Sequence, residues 1–128
     1  MLRSIGAVIL GVVAWMVAAT LANMLLRALL PGYAEVEKEM SFTISMLDGR
    51  LVVGVIASLA AGATCAAVAR GNSTAEVVLA ALMVVIFMPI HYALWSKFPP
   101  WYHLAFLISL APLVLAGAEL VRRARRAR

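Results

Sequence analysis

Between Arg50 and Arg70 the chain runs RLVVGVIASLAAGATCAAVAR, with no charged side chain between the two arginines. That length is close to the roughly 20 apolar residues a helix needs to cross a bilayer. The run is also rich in small side chains. Gly54, Ser58, Gly62 and Ala66 recur every fourth residue and so share one helix face, with Ala61 and Cys65 beside them. Lipid tails are as apolar as leucine, so helices in a bilayer associate by close backbone approach, which small residues permit. This segment is therefore read as the second transmembrane helix and the one on which the others pack.

The composition agrees. The chain has 128 residues, 65% of them hydrophobic and 13% charged, with a mean hydropathy of +1.00. Soluble domains lie near 45–50% apolar and about 25% charged. Helices satisfy their own backbone polar groups, so an apolar chain of this size reads as a bundle of membrane helices. A β-barrel would need alternating strands of about 10 residues, and the apolar runs do not alternate. The single cysteine, Cys65, allows no intrachain disulfide.

Boundaries follow from capping and turn residues. The first span covers about 5–30 and ends at Pro31-Gly32; it is too long for the h-region of a cleaved signal. Ala7, Gly11, Ala14, Ala18 and Ala22 give it a small-residue stripe of its own. An outer loop, 31–48, carries Glu35, Glu37 and Glu39, then alternates apolar and polar residues in a way that fits a short strand or a surface helix equally. Asp48 is placed as the N-cap of the second span, about 49–70. Arg70-Gly71 ends that span, and Ser73-Thr74-Ala75-Glu76 has the form of a capping box opening the third, about 75–96. Pro100 suits the first turn of the fourth, about 101–121. Pro89 and Pro112 fall inside helices three and four. A basic tail, 122–128, follows.

The expected fold is thus all-α: an integral membrane four-helix bundle, a single domain, with both termini cytoplasmic. The orientation comes from the positive-inside rule. Arg3, Arg70 and the five tail arginines make seven of the 11 basic residues on the inner side, leaving Arg27, Lys38, Arg50 and Lys97 outside.

Candidate functional residues are few. His91 and His103 flank the link between helices three and four, where antiparallel packing at about 8–10 Å brings them to similar depth. Two imidazoles suit a metal or haem iron chemically, and Asp48 lies at the same end as a third ligand. Trp95, Trp101 and Tyr102 read as interfacial anchors. Arg122, Arg123, Arg125, Arg126 and Arg128 read as contacts to anionic lipid or to an acidic partner, and Glu119 as an ion-pair partner of Arg122 and Arg123 along the helix. No stacking aromatics accompany the arginines, so nucleic acid is not an expected ligand. Around Met16, Leu59, Ile86 and Ala111 no ionisable group falls at mid-depth, which argues against ion-coupled transport. Thr20, Ser58, Thr64 and Ser109 can bond to their own helices there. No nucleophile–base pair, phosphate loop or paired carboxylates occurs.

The segment WYHLAFLISLAPLVLAGAEL from Trp101, together with the Gly/Ala-rich second helix, resembles the small four-helix membrane proteins found among uncharacterised bacterial open reading frames. The resemblance spans chiefly Gly49 to Leu120, with Pro100-Trp101-Tyr102-His103 its most distinctive part. It implies a bacterial inner membrane and no catalytic residue. The expected function is non-enzymatic: an accessory or scaffold subunit packing with itself or with a larger membrane complex, and needing no cofactor. A small transporter or channel for a neutral or lipid-like solute is the second reading. A metal- or haem-binding protein built on His91 and His103 is the third.

Overall fold

A computed structural model describes residues 1–128. The chain forms five helices and no strand: α1 (Leu2–Leu29), α2 (Tyr33–Glu37), α3 (Ile44–Ala69), α4 (Ser73–Ala93) and α5 (Pro100–Arg126). All but α2 are long and apolar enough to cross a membrane. At 1.5 Å per residue, the 28 residues of α1 extend about 42 Å, more than the ~30 Å hydrocarbon core. Only 27 of the 128 residues are buried, whereas Ile9, Met16, Leu21, Val85 and Ile108 stand exposed among many other large apolar side chains. Continuous apolar surface on this scale is foreign to a soluble monomer.

The central helix is α3, which lies against α1 on one side and α5 on the other, with α4 packed mainly on α5. Small residues make this possible. A Cβ added at Gly62 would collide with the backbone of Val114, and one at Gly117 with the backbone of Leu59. Gly11 lies against the Ala61 carbonyl, where a Cβ would come within 3.2 Å. Gly54 admits the Phe106 ring, and Ser58 and Ala66 are buried beside it in the same stripe. The α1 stripe meets this helix over Ala7 and Gly11, which are buried. Ala14, Ala18 and Ala22 are only partly covered. The small-residue faces are thus engaged within the chain.

Several boundaries differ from the sequence reading. The outer loop is shorter than 31–48, because α3 begins at Ile44, with Thr43 as its N-cap accepting from the Met46 amide at 3.3 Å. Asp48 lies inside the helix and is exposed. The capping box at Ser73–Glu76 is not formed. Asn72 takes the cap, its Oδ1 accepting from the Thr74 amide at 3.1 Å, while Glu76 turns inward. Left-handed conformations at both Arg70 (φ 50°) and Gly71 (φ 96°) end α3 and reverse the chain. Pro100 does open α5. That helix continues to Arg126, so most of the basic tail is helical. The interior prolines Pro89 and Pro112 stay within α4 and α5.

Candidate functional site: a cavity beneath an arginine–tyrosine cap

Pro31 and Gly32 turn the chain back over the bundle, and the turn requires glycine because Gly32 has φ +80°. The turn delivers Tyr33 of α2 into the interior, where it is fully buried. Its hydroxyl donates to Asn23 Oδ1 at 2.7 Å and accepts from Arg50 Nη1 at 3.0 Å. Arg50 also donates through Nε to the Tyr102 hydroxyl at 3.3 Å, and its Cζ lies 4.6 Å from the centroid of the Phe42 ring. Phe42 stacks between Tyr33 (5.2 Å) and Phe98 (5.9 Å). Elements far apart in sequence, namely α1, α2, the loop after it, α3 and α5, thereby meet at one guanidinium.

A second polar tie closes the edge of this cap. Glu37 receives Arg27 Nε at 2.6 Å, Arg27 Nη2 at 3.0 Å and Asn23 Nδ2 at 3.0 Å. Donation from Arg27, aided by Asn23, holds the Glu37 carboxyl below the ordinary carboxylate range against an opposing effect of burial.

Beneath the cap is a cavity of about 330 Å³. Trp15, Phe87 and Phe106 form its apolar wall, and Asn23, Arg50 and His91 bring polar groups to it. The wall is held by the Trp15 indole, which donates to Ser58 Oγ at 3.2 Å and packs on Phe87 with centroids 4.5 Å apart. Ser58 therefore serves as an acceptor across α1 and α3. Thr20 and Ser109 do bond to their own helices, at the Met16 and Phe106 carbonyls.

His91 and His103 converge behind this wall. Their Nδ1 atoms are 2.7 Å apart, with the rings nearly perpendicular. His91 stacks on Phe106 and His103 on Trp95. At 2.7 Å only one proton fits between the nitrogens, so one ring is the Nδ1–H tautomer and the other carries its proton on Nε2. The separation is that of a hydrogen bond. A tetrahedral ion at ~2.0–2.1 Å from each nitrogen would hold them roughly 3.3–3.4 Å apart. Asp48 is not brought to them, and no group of three or more His, Cys, Asp or Glu side chains assembles anywhere in the chain. The pair is a buried hydrogen-bonded unit supporting the cavity wall.

The aromatic anchors divide. Trp95 and Trp101 are 46% and 43% exposed around the link between α4 and α5, but Tyr102 is 4% exposed and belongs to the cap, not to an interfacial belt. The tail arginines divide as well. Arg122 pairs with the fully buried Glu76 and with Glu119, and Arg123 pairs with Glu119. Arg125 donates to the Ala66 and Ala67 carbonyls at 3.2 and 2.8 Å, capping α3 from outside. Arg126 and Arg128 make no bond within the chain through their side chains and are exposed.

Tyr33, Trp15 and the inward role of Arg50 were not legible in the sequence. Asn23 and Arg27, one turn apart near the end of an apolar helix and followed by an acidic loop, were the available signal. Comparison with known proteins finds no family model, no curated protein and no solved structure that matches the chain.

Proposed function

We propose that the chain is a multi-pass protein of a bacterial inner membrane, with both termini cytoplasmic, that binds a small lipid-like solute at its outer end and catalyses no reaction. One observation carries this reading. A bundle whose helices meet closely through glycine and alanine keeps a cavity of about 330 Å³ open, walled by aromatics and edged by a few convergent polar groups. That is the form of a small-molecule site, at the lower end of the ~300–1,000 Å³ such sites occupy. No nucleophile, paired carboxylates or metal-ligand set lines it, which favours binding or passage over chemistry.

Trp15 supplies the test. In a variant with Trp95 and Trp101 replaced by phenylalanine, Trp15 is the one remaining indole. A brominated fatty alcohol should quench its fluorescence saturably, and Ala19→Phe, which fills the lining, should abolish the saturable part. Quenching that rises linearly and equally in both proteins would mean simple partition into detergent and would overturn the reading.

A scaffold role is the second reading. It draws support from α1, of whose most apolar stretch only 11% is buried against the rest of the chain, compared with 28–39% for the other long helices. Cross-linking from cysteines placed at Val13 and Val17, both exposed, should then trap a dimer or a larger complex in native membranes. Recovery of monomer alone would remove that role.

A further inference from the structure

Arg50 lies six residues into α3, about 9 Å along the helix from its start. Its guanidinium is half-buried and turned into the bundle rather than out to solvent. Yet it is in none of the ion pairs of the molecule. Its protein partners are two neutral tyrosine hydroxyls and the face of Phe42. These fix the guanidinium without neutralising it, and Nη2 has no protein acceptor. The carboxylate that feels it, Glu37, is engaged by both arms of Arg27 and by Asn23. Counting Arg27, Arg50 and Glu37, the cap carries one positive charge more than it balances. The same guanidinium lines the cavity that Trp15, Phe87 and Phe106 wall, and Trp15 is held at Ser58, about 12 Å along α3 from Arg50.

An oriented cation with free donors at one end and an aromatic wall at the other describes the complement of an amphiphile. We propose that Arg50 receives the anionic headgroup, carboxylate or phosphate monoester, of a single-chain amphiphile whose apolar chain lies along Trp15 and Phe106. With Nε and one Nη1 hydrogen held by the tyrosines, Nη2 and the second Nη1 hydrogen are left to donate charge-assisted bonds to either oxyanion, which an uncharged headgroup cannot accept with the same strength. The size of the cavity selects one chain, since its volume is at the bottom of the range for small-ligand sites. The inference rests on the cavity-binding reading above and adds the headgroup and the residue that reads it.

The experiment uses the same Trp15-only protein and compares a brominated fatty acid, the alkyl phosphate and the alcohol of matched chain length at pH 8. The two acids should bind about tenfold or more tighter than the alcohol, as expected for charge-assisted hydrogen bonds. Arg50→Gln should bring all three to the affinity of the alcohol. Arg50→Lys, which keeps the charge and loses the fork, should retain a reduced preference and keeps the test decisive should the glutamine variant not fold. Inorganic phosphate alone should fail to displace the bound acid. Equal affinity of acid and alcohol, or an acid preference that survives in Arg50→Gln, overturns the headgroup assignment while leaving saturable alcohol binding intact. Displacement by inorganic phosphate at the concentration of the alkyl phosphate overturns the amphiphile and makes the ligand a free anion. Absence of saturable binding of every probe to the Trp15-only protein with Arg50 in place defeats the cavity reading itself.

Discussion

A carboxylate with 1% of its surface exposed requires a cation, and Glu76 obtains one from the far end of the chain, because Arg122 on the last turns of α5 reaches back to it. Removing one member of a buried pair leaves the other uncompensated, which is far more damaging than replacing the pair by groups of matched shape. Arg122→Met should therefore lower the melting temperature in detergent markedly. Glu76→Gln should lower it less, and the double variant should recover part of the loss of Arg122→Met; additive losses would mean the pair is not coupled. The capping-box pattern misled at this residue for a physical reason: Asn72 takes the cap one residue earlier, and the Glu76 carboxylate that would have to reach back to the Ser73 amide is committed to Arg122. Glu37 gives the pH-dependent counterpart. Its folded pKa is depressed, so its contribution is complete above the unfolded value, ~4.3 for glutamate, and disappears as pH falls through the lower folded value. Hydrogen-exchange protection at residues 33–42, taken relative to the intrinsic rate at each pH, should be high at neutral pH and fall below about pH 4. The fall should be absent in Glu37→Gln, which lacks the titrating group. An acid response that persists in that variant would assign the effect elsewhere.

Among the elements, the four long apolar runs and the turns at Pro31-Gly32, Arg70-Gly71 and Pro99-Pro100 were legible because hydrophobic length and Pro/Gly punctuation are local properties. The stripe on α3 was legible for the same reason, and it packs as a close seam: Gly62 against Val114 and Gly117 against Leu59. Gly62→Leu should cost at least the ~1–3 kcal/mol typical of overpacking, since the obstructing atoms are backbone and cannot rotate away. Gly6→Leu, where a Cβ meets nothing within 4 Å, should be tolerated. Comparable thermal denaturation of the two variants would contradict the seam. The start of α3 was not legible. Asp48-Gly49-Arg50 looks like the polar edge of a span, yet the arginine is satisfied by tyrosines 17 and 52 residues away. No window of local sequence contains that information. The aromatic cap was hidden likewise, since Tyr33, Phe42 and Phe98 stack only after α2 folds back.

At the scale of the whole molecule, the apolar exterior and the distribution of basic residues argue for a chain that crosses the bilayer four times with its ends on one side. Single cysteines at Ser41 and Ala127, in a Cys65→Ala background, should separate the two faces. A membrane-impermeant maleimide added to intact cells should label Ser41→Cys and reach Ala127→Cys only after permeabilisation; the reverse pattern would invert the topology. The chemistry is segregated along the same axis. Arg50, the tyrosines and the histidine pair gather at the end that carries α2, and Glu76, Arg122 and Arg125 at the end that carries the termini. Between them lie Thr20, Ser58 and Ser109, with no ionised group.

The unbroken run of α5 as far as Arg126 has a mechanical corollary. A floppy peptide would spread its charge through a hemisphere and adapt to whatever it met. Here Arg126 projects about 9 Å beyond Leu120 on a stiff stub that Arg125 fastens to the end of the neighbouring rod. Its positive field therefore keeps a set height and bearing relative to the bundle axis. A phosphate or acidic surface that met it would have to approach from one direction, and in doing so would register the rotation of the entire bundle.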